Sequence, residues 1–292
     1  MDQPQRSAIY RGTVTDTSRW ELFEHRPGDI FVCTPPKCGT TWTQAICAML
    51  VFECADHGEQ PGVISPWFDS HLFVPVEEDV KRIAAQEHRR FIKTHSPLDG
   101  IPYFADCTYF VVLRDPRDAY FSGLNHRDNM LAEEVAFATF TSGDTAFADW
   151  LARESPPGVW DVISLHQITH FLQSYWAYRD LPNIHLHHYS DMKRDLKGTI
   201  TAMACELGIA VEDDQLAAYT KAASFNHMKS KAGQYAPGAG LGVWKAETQF
   251  FASGASGQWQ DRLSGDDLAA FDERLAELLP PDAANWLLAG SI

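Results

Sequence analysis

Positive charge is scarce in this sequence. Its 292 residues carry 24 Lys and Arg against 39 Asp and Glu, a formal net charge of −15. That balance excludes a broad basic surface for nucleic acid, so an anionic ligand needs a local basic pocket. Long apolar runs are missing too. None approaches the roughly 20 residues of a membrane span, and Met1-Asp2-Gln3-Pro4-Gln5-Arg6 lacks an apolar signal core. A soluble, cytoplasmic protein with no transmembrane segment is the expectation. The six cysteines form neither a Cys-x-x-Cys pair nor a zinc-ligand spacing, which leaves no cysteine metal framework. Cys33, Cys47 and Cys205 fall at apolar positions of predicted elements, so buried free thiols are expected. No internal repeat or composition break divides the chain, and its 292 residues suffice for a single α/β domain over 1–292.

What is present begins after Asp29. Ile30-Phe31-Val32 is a short apolar run suited to a strand buried on both faces, and Pro35-Pro36 cannot continue it. Beyond the turn, Trp42, Ile46, Met49 and Leu50 recur at helical spacing. The amides of Gly39, Thr40 and Thr41 therefore fall at a helix N-terminus with unsatisfied donors, which makes an anion site. Lys37 adds a point charge and the threonine hydroxyls add donors, so the expected ligand is a phosphate. The nucleotide loop GxxxxGK[ST] is matched only in part, because Lys37 precedes Gly39. The alternative is an ordinary turn with a solvated lysine.

A second strand, Phe91-Ile92-Lys93-Thr94, runs into His95-Ser96-Pro97. Alternation puts Lys93 and His95 on one side, and ligands in open α/β sheets bind beyond the carboxyl ends of strands, where His95 falls. Thr108 to Leu113 is a third strand, closed by Arg114-Asp115 before Pro116 opens a helix. Arg114 shares that edge, and Ser122, about two helical turns on, can face the same groove. A salt bridge to Asp115 or Asp118 is the plainer role for the arginine.

The remaining pieces are less specific. Trp20, Leu22 and Phe23 are expected to pack on the domain as an edge segment. Ser65-Pro66-Trp67-Phe68 and Leu72-Phe73-Val74 suit either a substrate pocket or the core. Glu77 to His88 reads as a helix with Val80, Ile83 and Ala84 inward. Residues 127–160, with Phe137, Phe140, Phe147, Trp150 and Trp160, suggest an irregular lid or acceptor-binding insertion, and 232–258, with six glycines, a long loop closing over the site. Ser164 to Tyr178 is helical, and Gln167 stands where a zinc-protease motif on His166 and His170 needs Glu. Ile184 to Tyr189 is a strand with histidines on a half-exposed face. Asp191 is expected to cap a helix with Leu196, Ile200, Met203 and Leu207 inward. A last helix starts at Ser264 with Leu268, Phe271, Leu275 and Leu278 inward.

Four separated pieces together resemble one family, the cytosolic-type sulfotransferases that use 3′-phosphoadenosine 5′-phosphosulfate (PAPS), over about Trp20 to Trp259. Thr34-Pro35-Pro36-Lys37-Cys38-Gly39-Thr40-Thr41-Trp42 is similar to the family's 5′-phosphosulfate loop, YPKSGTTW. Lys93-Thr94-His95 matches its KTH motif, and Arg114 through Ser122 matches its 3′-phosphate strand and helix. Ser65-Pro66-Trp67 and Ser96-Pro97-Leu98-Asp99-Gly100 look most like bacterial members described as glycolipid sulfotransferases.

The resemblance implies a three-layer P-loop-type α/β fold with a central parallel sheet flanked by helices. It implies sulfuryl transfer from PAPS to a hydroxyl of a small or glycolipid acceptor, with His95 as general base, Lys37 and Lys93 beside the reacting group, and no metal. Cofactor contacts are implied for Lys37, Cys38, Gly39, Thr40 and Thr41 at the 5′ end, for Arg114 and Ser122 at the 3′-phosphate, and for Trp42 and Phe225 on adenine. Tyr189 and Ser224 bound the base pocket, and Gly254 lies in the C-terminal loop.

Two departures qualify it. The family's RKGxxGxW reads here as Ala252-Ser253-Gly254-Ala255-Ser256-Gly257-Gln258-Trp259, without the basic pair that grips the 3′-phosphate; Lys245 is a possible substitute. The KxxxTVxxxE dimer segment is replaced by Gln260-Asp261-Arg262-Leu263-Ser264-Gly265, which leaves the oligomeric state open. A P-loop nucleotide kinase and a catalytically weak PAPS-binding protein are the alternatives.

Overall fold

The computed structural model describes residues 3–72, 74–131, 146–161 and 163–291. Four parallel strands, β1 (Ile30–Cys33), β2 (Phe91–Thr94), β3 (Thr108–Leu113) and β4 (Ile184–His188), form one sheet in the order β2-β1-β3-β4. β1 and β3 occupy its middle and every one of their residues is buried, which is why both read as continuous apolar runs. β4, at the edge, alternates. His185 and His187 reach Glu206 at 3.4 and 3.1 Å, while His188 is buried against the Leu287 carbonyl.

The helices that fill the cores or carry the site are α1 (Thr40–Val51), α2 (Pro116–Asp128), α3 (Leu165–Trp176), α4 (Leu196–Glu206), α5 (Phe225–Ser230) and α6 (Gly265–Leu278). Strand alternation feeds two cores. Phe31, Cys33, Tyr109, Val111 and Leu113 meet Phe171, Leu172 and Tyr175 of α3 and Phe271 and Leu275 of α6. Ile30, Val32, Phe110 and Val112 meet Ile46, Met49 and Leu50 of α1 and Ile200 and Met203 of α4. Each large side chain so buried contributes about 1.5–3 kcal/mol, and the three layers follow from burying both faces of the sheet.

β2 and β3 lie on opposite sides of β1, so the strand order reverses there and a crevice opens at the carboxyl ends. The chain leaves that edge at Thr34, His95 and Arg114. This one geometric fact brings three separate motifs together.

Local expectations are corrected at several points. The 3-10 helix Thr17–Leu22 turns Trp20 into the core but leaves Leu22 50% exposed. The helix predicted over Glu77 to His88 spans Val76–Ala84 and leaves Ala84 outside. Asp195, not Asp191, caps α4, accepting from the Gly198 amide at 2.8 Å; Asp191 lies inside the preceding helix, Tyr189–Arg194. Cys33 and Cys47 are buried, but Cys205 is exposed, two residues past the inward Met203. The aromatic stretch contains a helix, Phe147–Ala152, whose Phe147 and Trp150 belong to the core; Phe137 and Phe140, like Phe73, lie outside the described residues. Segment 232–258 holds two one-turn helices, Ala232–Tyr235 and Glu247–Phe250.

Candidate active site

The turn after β1 is held by backbone conformation. Lys37 (φ 68°) and Gly39 (φ 107°) are both left-handed, which turns successive amides inward before α1 begins at Thr40. At Gly39 a Cβ would come 3.2 Å from the Tyr189 ring, so the approach of these two elements needs glycine. Thr34 and Thr40 share a hydroxyl hydrogen bond at 2.5 Å across the turn. Cys38 is buried within it, its thiol pushed up to about 12 by burial. Thr41 and Trp42 are half-buried on the first turn of α1, and the Trp42 indole donates to the Ala223 carbonyl at 2.8 Å.

His95 stands just beyond β2. Its Nδ1 lies 2.6 Å from the Thr34 carbonyl, and a carbonyl can only accept, so the proton is on Nδ1 and the lone pair on Nε2. Burial, then Lys93, the Thr34 bond opposing, hold its pKa well below 6.5. The imidazole is therefore a neutral base at physiological pH. Its frame is tight: the Trp160 indole donates to the His95 carbonyl at 2.9 Å, and buried Asp69 accepts from the flanking Thr94 and Ser96 hydroxyls at 2.6 Å each. Trp67 meets the imidazole edge-on, and the Lys93 ammonium lies 4.4 Å from the same indole.

At the end of β3 Arg114 is buried between Asp118 (3.7 Å), the Tyr189 ring (4.4 Å) and the Ala255 carbonyl, to which it donates. The plain ion-pair role, to Asp118, is thus present. Its Nε is buried with no hydrogen-bond partner. Segment 252–259 docks on the start of α2: Asp118 accepts from the Gly257 and Gln258 amides at 2.9 and 2.8 Å, and Asp115 accepts from the Trp259 indole at 3.1 Å. Gly254 (φ 58°) lies under Phe225, where a Cβ would come 2.5 Å from the ring. Ser224 caps α5 through the His227 amide and donates to the Lys221 carbonyl at 2.7 Å. Ser122 is half-buried on α2. Lys245, the possible substitute for the missing basic pair, donates from Nζ to the Asp128 carbonyl at 2.8 Å, and Lys229 Nζ reaches the Ala252 carbonyl at 3.2 Å.

Charge explains what the crevice can do. Burial first, then Arg114 and Lys93, push Lys37 down to about 7, and burial pushes Lys93 down to about 8. Half-buried Lys37 and Lys93 stand beside buried Arg114, which Asp118 pairs, and this local excess of positive charge attracts an anion even in a chain of net charge −15. Two residues that matter here, Asp69 and His126, went unrecognised in the sequence, and Trp160 was read only as part of a lid or acceptor-binding insertion. Asp69 and Trp160 act only through tertiary contacts. His126, which accepts from Lys37 Nζ at 2.9 Å, was detectable as the residue one helical turn past Ser122.

The Sulfotransferase domain family matches residues 27–280. The chain belongs to the sulfotransferase family. Glycolipid sulfotransferases of Mycobacterium bovis (strain BCG / Pasteur 1173P2) and Mycobacterium tuberculosis (strain ATCC 25618 / H37Rv) are each 35% identical to it, over 97% of this chain and 94% of theirs. Sulfotransferase 1C2 of Homo sapiens is 25% identical over 94% of this chain and 91% of its own. Mouse sulfotransferase SULT7A1 complexed with PAP has a TM-score of 0.69 at 24% identity, covering 93% of this chain and 92% of that one. Retinol dehydratase in complex with androsterone and inactive cofactor PAP gives 0.70 at 20%, covering 90% and 84%. At those identities the likeness is one of fold. In this sulfotransferase residues 252 and 253 are Ala and Ser, so the segment carries no cation just before Gly254. Among the described residues no helix is long and apolar enough to cross a membrane, and no cluster of three His, Cys, Asp or Glu could hold a metal.

Proposed function

We propose that the protein, as one domain, transfers a sulfuryl group from PAPS to a hydroxyl of a small or glycolipid acceptor. The observation that carries this reading is the fixed tautomer of His95, with Nδ1 on Thr34 and Nε2 free for an acceptor proton, at the edge where the Lys37 turn begins. The mycobacterial relatives, named glycolipid sulfotransferases, support the acceptor class. When bound, PAPS supplies an activated sulfuryl group on a phosphate leaving group. The residues present fit such an anion: Arg114 offers an unpartnered buried Nε, and Lys37 and Lys93, both pushed down by burial, favour an anion that would hold their charge.

His95 Nε2 takes the proton of the acceptor hydroxyl. Lys37, the amides of Cys38 and Gly39, and Thr40 and Thr41 neutralise charge developing on the 5′-phosphate side, each such donor being worth ~2–4 kcal/mol. Lys93 faces the sulfuryl oxygens. Arg114 and Ser122 hold the 3′-phosphate; Trp42, Tyr189, Ser224, Phe225 and Gly254 enclose the base.

A second reading, a PAPS-binding protein with weak catalysis, is favoured by one observation, Ala252 and Ser253 in place of two cations. The nucleotide kinase alternative falls with the family assignment. Incubation with 35S-labelled PAPS and a lipid extract separates the remaining two. Label on a hydroxyl-bearing glycolipid supports transfer; tight PAP binding without transfer to any of a broad hydroxyl panel supports the second reading.

A further inference from the structure

Lys37, Lys93, His95 and His126 form one basic cluster at the crevice, and the proposed reaction uses only the first three. His126 comes from α2, one turn beyond Ser122. Its Nδ1 lies 2.9 Å from Lys37 Nζ, so it accepts and its own proton sits on Nε2. The ring packs edge-on against Trp244 (centroids 4.8 Å apart) and Phe250 (5.9 Å), and Phe250 lies 5.0 Å from the same ammonium. Segment 232–258 thus sets the imidazole, because it is itself pinned to the end of α2 through Leu131 N to Val243 O (2.9 Å) and Lys245 N to Asn129 O (2.7 Å).

We propose that His126 is a positioning residue for sulfuryl transfer, whose Nδ1 holds the Lys37 ammonium in the crevice so that the charge is already in place when the donor arrives. The proposal rests on the role given to Lys37 above. A lysine side chain has many rotamers to lose when it is held in one place, and this one is repelled by Arg114 and Lys93. Without an acceptor it deprotonates or swings out to water. Among the described residues, Cys38 on the turn, Lys93 and His95 at the end of β2, and Arg114 at the end of β3 face the pair. Burial, then Lys37, Lys93 and His95, keep His126 well below 6.5, as an uncharged acceptor must be.

Two variants separate holding from packing. His126→Asn keeps an oxygen acceptor near the Nδ1 position and loses the ring; His126→Phe keeps the ring against Trp244 and Phe250 and loses the acceptor. In nucleotide-free protein with 13C-labelled lysine side chains, Lys37 is assigned by its loss in Lys37→Met and titrated by NMR. It is expected to titrate near its wild-type pH in the Asn variant and lower in the Phe variant. In transfer assays kcat falls roughly 10–100-fold in the Phe variant, with the KM for PAPS little changed, and stays within about fivefold of wild type in the Asn variant. The reverse order, Phe active with unaltered Lys37 titration and Asn impaired, overturns the proposal and makes His126 a packing residue. The NMR comparison needs no donor, so a wild type that transfers nothing counts against the proposed reaction while the titration still decides the role of His126.

Discussion

The Thr34 carbonyl oxygen lies 2.6 Å from Nδ1 of His95, which binds the first residue of the turn after β1 to the imidazole proposed as the base. Parallel pairing puts Cys33 opposite Thr94, so the two segments leave the sheet side by side and the contact follows from register. Turn and imidazole are therefore one mechanical unit, and a distortion of residues 34–39 is expected to displace the ring as well as the proposed phosphate site.

The pH dependence of kcat/KM reports the free crevice. His95 must be neutral, and its pKa is held well below 6.5, so activity persists at pH 6 instead of halving near 6.5. Lys37 and Lys93 must be charged, and they lose protons near 7 and 8, so kcat/KM falls as pH rises through that window. Bound phosphates favour the charged lysines, which puts the alkaline limb of kcat at higher pH than that of kcat/KM. Initial rates across pH 5–10 check both limbs, and a kcat/KM flat to pH 10 contradicts the assignment of Lys37.

Lys37→Met is expected to raise the thermal midpoint of the nucleotide-free protein while lowering kcat. Lys37 titrates at 10.5 when unfolded and near 7 when folded. The folded state therefore binds fewer protons, and its charge costs stability increasingly as pH falls from 10.5 toward 7, below which the cost is constant. Methionine removes that cost and also removes ~2.7–4 kcal/mol of transition-state stabilisation, roughly 10²–10³ in kcat. Calorimetric melting at pH 7, read beside kcat, shows both; an unchanged kcat argues against any role for the ammonium.

Restoring the basic pair, Ala252→Arg with Ser253→Lys, is expected to tighten PAP binding by about tenfold or more through charge-assisted contacts. Titration with 5′-AMP, which lacks the 3′-phosphate, is the control. A gain confined to PAP places the 3′-phosphate by this segment, whereas an equal gain for both ligands refutes that placement.

The sheet and its crevice were legible because the signals are local. Ile30-Phe31-Val32 and Thr108–Leu113 are continuous apolar runs that only doubly buried strands require, and Pro116 and Gly39 mark helix starts by fixed or left-handed φ. What stayed hidden is tertiary. Asp69 reaches Thr94 and Ser96 across 25 and 27 residues, and Trp160 reaches His95 across 65. His126 meets Trp244 only because 232–258 folds back onto α2. Asp191 and Asp195 are both plausible caps by residue type, and the choice between them was made by a helix, Tyr189–Arg194, too short to leave a periodic pattern. Cys205 looked inward because α4 is apolar around much of its circumference.

Transfer by His95→Ala, measured beside its PAP affinity by calorimetry, tests the central assignment most directly. Loss of 10²–10⁴ in kcat is expected, in the range of a general base, with Kd for PAP little changed. Retained transfer, or equal loss of turnover and PAP binding, would contradict a base at His95 and leave the residue as part of the scaffold.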